Sequence, residues 1–169
     1  MKKIFRYIVV VSMFLMLVAC GKKESEKAFD LKFKEFKEEI TKNGNEGLES
    51  TKLLAKIFDK ATYKVNKVEE NGNQSELDVT IKAVDLTKYL TEFMASLKPL
   101  IDSNMGEEAF SKATVDYFSD LSKKELEYKE TNVKVYMEKI NGEWKVINTD
   151  DIVVGIFGGL EEFIKGPQN

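Results

Sequence analysis

Chemistry in this chain must come from thiol, phenol, hydroxyl, carboxylate and amine groups. The 169 residues include no histidine and a single cysteine, Cys20. Without imidazole there is no Ser-His-Asp or Cys-His nucleophile, no His-ligated zinc and no histidine pH switch. One cysteine forms no disulfide within the chain. What remains is carboxylate–phenol work, in which a carboxyl group of raised pKa in an apolar cavity exchanges protons beside a tyrosine. Tyr63, Tyr89, Tyr117, Tyr128 and Tyr136 supply the phenols. Such a site needs carboxylate and phenol aimed into one cavity. The nearest strand carboxylates, Asp78 and Glu138, fall on outward positions of the alternation described below. The adjacent acids Glu107-Glu108 and Asp150-Asp151 stand at helix starts, where capping and the helix dipole account for them. No Gly-rich phosphate loop follows a strand, and no cluster has metal spacing. The sequence therefore predicts no catalytic residue, no metal and no cofactor. The alternative is an enzyme that uses an inward carboxylate and a tyrosine.

Cys20 has a different chemistry open to it. Lys2, Lys3 and Arg6 precede an apolar run from Tyr7 to Val18 that only Ser12 interrupts. A basic start, a short apolar stretch and a small residue before the cut are the parts of a secretion signal. The run falls short of the roughly 20 apolar residues that a spanning helix needs. Leu17-Val18-Ala19-Cys20-Gly21 matches a lipobox: a branched apolar residue at −3, small Ala19 at −1 and cysteine at +1. In these residues the chain resembles the bacterial lipoprotein family. That resemblance implies a diacylglyceryl group on the Cys20 sulfur and cleavage of residues 1–19. It also implies an extracytoplasmic location at the cell membrane, or at the outer membrane in a two-membrane cell. Two acyl chains are enough for stable anchoring where one is marginal.

The whole chain carries a net charge of −3, with 26 basic and 29 acidic residues. Loss of Lys2, Lys3 and Arg6 with the signal takes the remaining 150 residues to −6. An acidic surface argues against nucleic acid as a partner and against docking onto anionic headgroups. The expected organisation is a signal peptide over 1–19, the lipidated cysteine with a polar tether over 20–27, and one domain over 28–169, long enough to bury a core.

Phe29, Phe33, Phe36 and Ile40 recur at helical spacing and predict a helix from about Ser25 to Lys42. A second helix, about Glu46 to Lys60, turns Leu53, Leu54, Ile57 and Phe58 inward. The period then changes from 3.6 to 2. Thr62–Glu69 and Glu76–Val84 read as a hairpin; with Asn71-Gly72-Asn73 as its loop, Val65 faces Val79 and Tyr63 faces Ile81. Asp85 caps a third helix, which Pro99 kinks or ends. A fourth runs from about Glu107 to Ser122. Asn132–Ile140 and Glu143–Asn148 form a second hairpin on Asn141-Gly142, a favoured type I′ pair, so that Met137 faces Val146 and Lys139 faces Trp144. A bulge near Thr131 would let that strand begin near Leu126. Thr149-Asp150-Asp151 caps a last helix through Lys165, apolar at Ile152, Val153, Ile156, Phe157, Leu160, Phe163 and Ile164 and weakened at Gly158-Gly159.

Two antiparallel hairpins packed against helices make an α+β layer fold. The stretches Ser75–Lys82, Val133–Lys139 and Asn141-Gly142-Glu143-Trp144-Lys145-Val146 carry a further resemblance. The last is similar to the Gly-x-Trp-Lys-Val hairpin common near the end of NTF2-like (cystatin-like) cone-shaped domains and of small lipoproteins in low-GC bacteria. The helix pair between the hairpins and the helix after the last strand depart from that pattern and leave the strand order open. That superfamily hosts enzymes, transport factors and binding modules, so the fold does not name an activity. The expectation is a non-catalytic module whose concave apolar side takes a small apolar or peptide ligand. Tyr63, Val79, Phe93, Tyr117, Met137 and Trp144 are the candidate lining, and each would equally serve as core. An envelope protein docking on the last helix is the other partner expected.

Overall fold

The computed structural model describes residues 21–158. Helix α1 (Glu24–Asn45) leads, followed by α2 (Glu49–Phe58). The phenylalanine stripe makes α1 a core helix: Phe29 and Phe33 are buried, and Phe36 and Ile40 pack half-buried beside them. Glu24 to Lys27, where the expected tether over 20–27 overlaps the helix expected from about Ser25, are helical. The cause is Ser25, which is fully buried and bonded to the sheet.

Strands β1 (Thr62–Asn71) and β2 (Gln74–Val84) form the first hairpin. Helices α3 (Leu86–Asp102) and α4 (Glu107–Lys123) follow, then β3 (Tyr128–Ile140), β4 (Glu143–Val146) and α5 (Thr149–Ile156). The strand order, open in the sequence, is β1-β2-β3-β4, an antiparallel meander. This is the predicted α+β class. The second hairpin has the predicted register, Met137 opposite Val146 and Lys139 opposite Trp144. Asn141 (φ +54°) and Gly142 (φ +86°) both adopt the positive φ that a type I′ turn demands.

The first hairpin reaches its predicted pairs by another route. Its turn has two residues, Gly72-Asn73, because Asn71 pairs with Gln74. Left alone, that turn would offset every pair by one residue. A bulge between Val65 and Lys67 absorbs the offset and restores Tyr63 opposite Ile81 and Val65 opposite Val79. The bulged residue is Asn66, whose amide donates to Thr80 Oγ1 at 2.7 Å. Because of this extra residue, Tyr63, Val65 and Val68 all turn to the packed face. Strand β3 does the opposite of what was expected. It runs from Tyr128 to Ile140 against β2 with no register shift, so there is no bulge at Thr131. Continuous pairing simply carries Lys129 and Thr131 onto the packed side, near its end, where they are half-buried.

Helix α1 crosses β1 and β4, and α5 crosses β2 and β3, so one face of the sheet is covered. Leu77, Val79, Ile81, Val133, Val135 and Met137 build the first core beneath them. Asp78 and Glu138 face the other, wet side, as the alternation predicts. A second core lies where the sheet meets α2, α3 and α4. It contains Leu53, Ile57, Val84, Leu86, Tyr89, Phe118 and Leu121. Asp85 caps α3 by accepting from the Lys88 amide at 3.5 Å. Pro99 does not end α3, which continues to Asp102. Helix α5 stops at Ile156, well short of the predicted Lys165, because Gly158 takes φ +54°. The predicted apolar positions Leu160, Phe163 and Ile164 lie outside the described residues.

Candidate functional site

A groove of about 810 Å³ lies between α1 and β1. Lys22, Glu26 and Asp30 recur every fourth residue and therefore line one side of it. Phe33 and Lys37 continue that wall, and Tyr63 and Val65 of β1 form the other. The Tyr63 ring packs edge-on against Phe29 at 5.1 Å and tilted against Phe33 at 4.4 Å. Its hydroxyl donates to Asp30 Oδ1. Lys22 Nζ donates to Asp30 Oδ2 at 2.7 Å.

Burial, and then the hydrogen bond to Asp30, push the Tyr63 phenol well above the usual tyrosine range. The phenol is thus a neutral donor throughout the physiological range. Each Asp30 oxygen accepts one of these hydrogen bonds, which ties the carboxylate to both Tyr63 and Lys22. A carboxylate beside a tyrosine is the pair that proton-transfer chemistry would use, yet here the two groups close on each other and clamp α1 to β1. Tyr63→Phe should cost about 0.5–1.5 kcal/mol at neutral pH, read by urea unfolding. The sign with pH follows from the raised phenol pKa in the folded state. The folded chain holds this proton more tightly than the unfolded chain, so the contribution is complete below about pH 10 and falls as pH rises beyond it. The Phe variant should lose part of that alkaline slope; an identical slope would refute the assignment.

The outer edge of β1 opens into the same groove. Asn71 and Gln74 flank a two-residue turn and so bond to each other. Counting back from them through the bulge leaves the backbone N–H and C=O of Val65 and Tyr63 directed away from β2. Two lysines ahead of and on α1 cap the ends of this edge. Lys23 Nζ donates to the Val68 carbonyl at 3.1 Å, and Lys37 Nζ to the Ala61 carbonyl at 3.0 Å. The stretch between them is without a strand partner among the described residues.

The six candidate lining residues do not share one cavity. Val79 and Met137 are buried in the first core, against which Tyr63 and Trp144 pack half-buried. Phe93 and Tyr117 belong to the second core, their rings 5.1 Å apart. The Tyr117 hydroxyl donates to the Tyr89 carbonyl at 2.6 Å, and burial pushes its phenol up to about 12. Trp144 lies beside a shallow recess that includes Met137, and the Lys139 ammonium sits 5.7 Å above its ring. Tyr63 alone of the six lines the α1–β1 groove. Lys22, Asp30 and Lys37 were not visible as site residues in the sequence. The one available signal was the Lys22, Glu26, Asp30 spacing, which marks a face but not what it faces.

Among the described residues no group of acidic or cysteine side chains could hold a metal ion. No described helix is long and apolar enough to cross a membrane. The sequence matches no protein-family model and no curated protein. Among solved structures, the crystal structure of a candidate lipoprotein from Bacillus subtilis is similar, with 17% identity and a TM-score of 0.45. The similarity covers 72% of this chain and 37% of that one, so this chain spans little more than a third of that protein's length.

Proposed function

We propose that this chain is a lipid-anchored extracytoplasmic binding module, without catalytic machinery, that takes an extended peptide segment along β1. The observation that carries the reading is the β1 edge, unpaired among the described residues, opening into the groove beside α1. Peptides add to such edges through main-chain hydrogen bonds, and alternate side chains enter the flanking groove. Tyr63 and Val65 offer the main-chain groups, and Phe33 offers apolar surface on the opposite wall. The lysines at either end leave a gap of strand rather than a long open edge, which favours a bound segment of a few residues over unlimited sheet growth. The anchor is Cys20, on the strength of the basic start, the apolar run and the lipobox.

Two measurements test the two halves. Cys20→Ala should move the protein from the membrane fraction to the soluble fraction. Unchanged retention would show that the thioether is not the anchor. For the groove, the ¹⁵N-labelled domain would be titrated with short extended peptides of alternating apolar and polar residues. Shifts should cluster at Thr62–Val68 and the facing turns of α1. Val65→Pro should abolish them while leaving the fold intact, because the N–H it removes has no partner in the ladder. Shifts confined to α3 and α4, or to either core, would sink the groove reading.

A further inference from the structure

The first turn of α1 is bonded to three strands at one end of the sheet. Ser25 is fully buried. Its hydroxyl donates to the Glu70 carboxylate on β1 at 2.7 Å and accepts from the Ser75 hydroxyl on β2 at 2.9 Å. Its backbone N–H reaches the same Glu70 oxygen at 3.3 Å. Glu24 accepts from Lys139 of β3 at 3.0 Å, and that charge-assisted bond holds the Glu24 carboxyl below its ordinary range. Lys23 reaches the Val68 carbonyl. All these partners sit beside the two turns, Gly72-Asn73 and Asn141-Gly142. The start of α1 is thus part of the turn end of the sheet and does not swivel on it.

Three residues lie between Cys20 and Glu24, and the four Cα–Cα steps reach at most about 14 Å. Strand β2 extends about 33 Å from Gln74 to Val84. Its far end carries the second core and the roots of α3 and α4. We propose that the turn end of the sheet faces the bilayer, held there by the tether, while the second core and the α3–α4 pair stand away from it. This rests on lipidation of Cys20. The tether is shorter than the sheet is long, so the domain cannot turn over while α1 stays clamped. The facing end is mostly polar: Asn71, Asn73, Gln74, Glu138 and Asn141 are exposed there, with Ile140 exposed beside them.

The test uses the full-length protein purified from bacterial membranes and reconstituted in phosphatidylethanolamine–phosphatidylglycerol vesicles that carry a nitroxide headgroup quencher. Asn73→Cys marks the turn end and Lys124→Cys the far end, each labelled with bimane. In a lipidated chain the Cys20 sulfur is a thioether and takes no label, so one label per chain together with flotation reports the anchor. The Asn73 label should be quenched several-fold more than the Lys124 label. Equal or reversed quenching in floating, singly labelled protein would overturn the orientation while leaving the anchor intact. Two labels per chain and no flotation would instead overturn the anchor, and the orientation with it. Ser25→Ala should bring the quenching ratio toward one without changing flotation; an unchanged ratio would show that the clamp does not set the orientation.

Discussion

Phe29→Ala should lower the unfolding free energy by about 3–5 kcal/mol. Phe29 is fully buried one turn into α1, with its ring against Phe33 at 6.0 Å and Tyr63 at 5.1 Å. Removing it loses the transfer free energy of a phenyl group and opens a cavity between α1 and β1. Those walls cannot close easily, because Ser25 on one side and the Tyr63–Asp30 bond on the other hold the helix in place. Domains of this size are stable by roughly 5–15 kcal/mol, so the loss is a large share of the total. Urea unfolding of the domain checks it. A change below about 1 kcal/mol would mean that α1 is peripheral and that the groove beside it is not fixed.

Gly158→Ala should destabilise by about 3 kcal/mol or more, although it adds a single methyl group. At φ +54° an L side chain is already strained. An added Cβ would also lie 1.9 Å from the Val84 carbonyl oxygen, so backbone must move. The movement would disturb the Gly158 carbonyl that accepts from the Leu86 amide at 3.2 Å. That bond ties the end of α5 to the start of α3. Gly72→Ala provides the control. It has a similar φ of +59° but open space around the new methyl, and should cost only about 1 kcal/mol. For a domain of this length the two should differ in Tm by several degrees. Equal shifts would show that the contact at Val84 does not matter.

The sequence was most legible where the signal is local. Every described helix and strand was readable from the period of its apolar residues. The second hairpin was readable to its pairing because Asn141-Gly142 admits few turn geometries. The first hairpin is more instructive. Its pairs Tyr63–Ile81 and Val65–Val79 were predicted through a three-residue loop, whereas the chain uses a two-residue turn and a bulge at Asn66. Matching apolar faces constrains which residues meet, but not where the extra residue sits. At Thr131 the same reasoning inserted a bulge that the chain does not have, because pairing with β2 outweighs the local pattern.

The candidate site was less legible than the fold. Tyr63 was singled out as a tyrosine on an inward strand position, but its partner Asp30 is one of many acids on a charged helix. They are 33 residues apart and meet only because the bulge turns Tyr63 toward α1. Phe93 and Tyr117 carry the same kind of signal as Val79 and Met137, yet they belong to a different core.

By itself the sequence determined the type and order of the described elements, though not all their bounds, the α+β class and the lack of imidazole, and it holds the lipobox-like stretch at Cys20 from which the anchor is proposed. These depend on residue type and on spacings of a few positions, which hold wherever the segment lies. Only the tertiary structure decided the meander order, the clamp of Ser25 onto the turn end, the groove with its β1 edge left unpaired among the described residues, and the stop of α5 before Gly158. Each of those depends on which surfaces meet after the chain has closed on itself. Hydrophobic burial is non-directional, so an apolar pattern says that a face will be covered without saying by what.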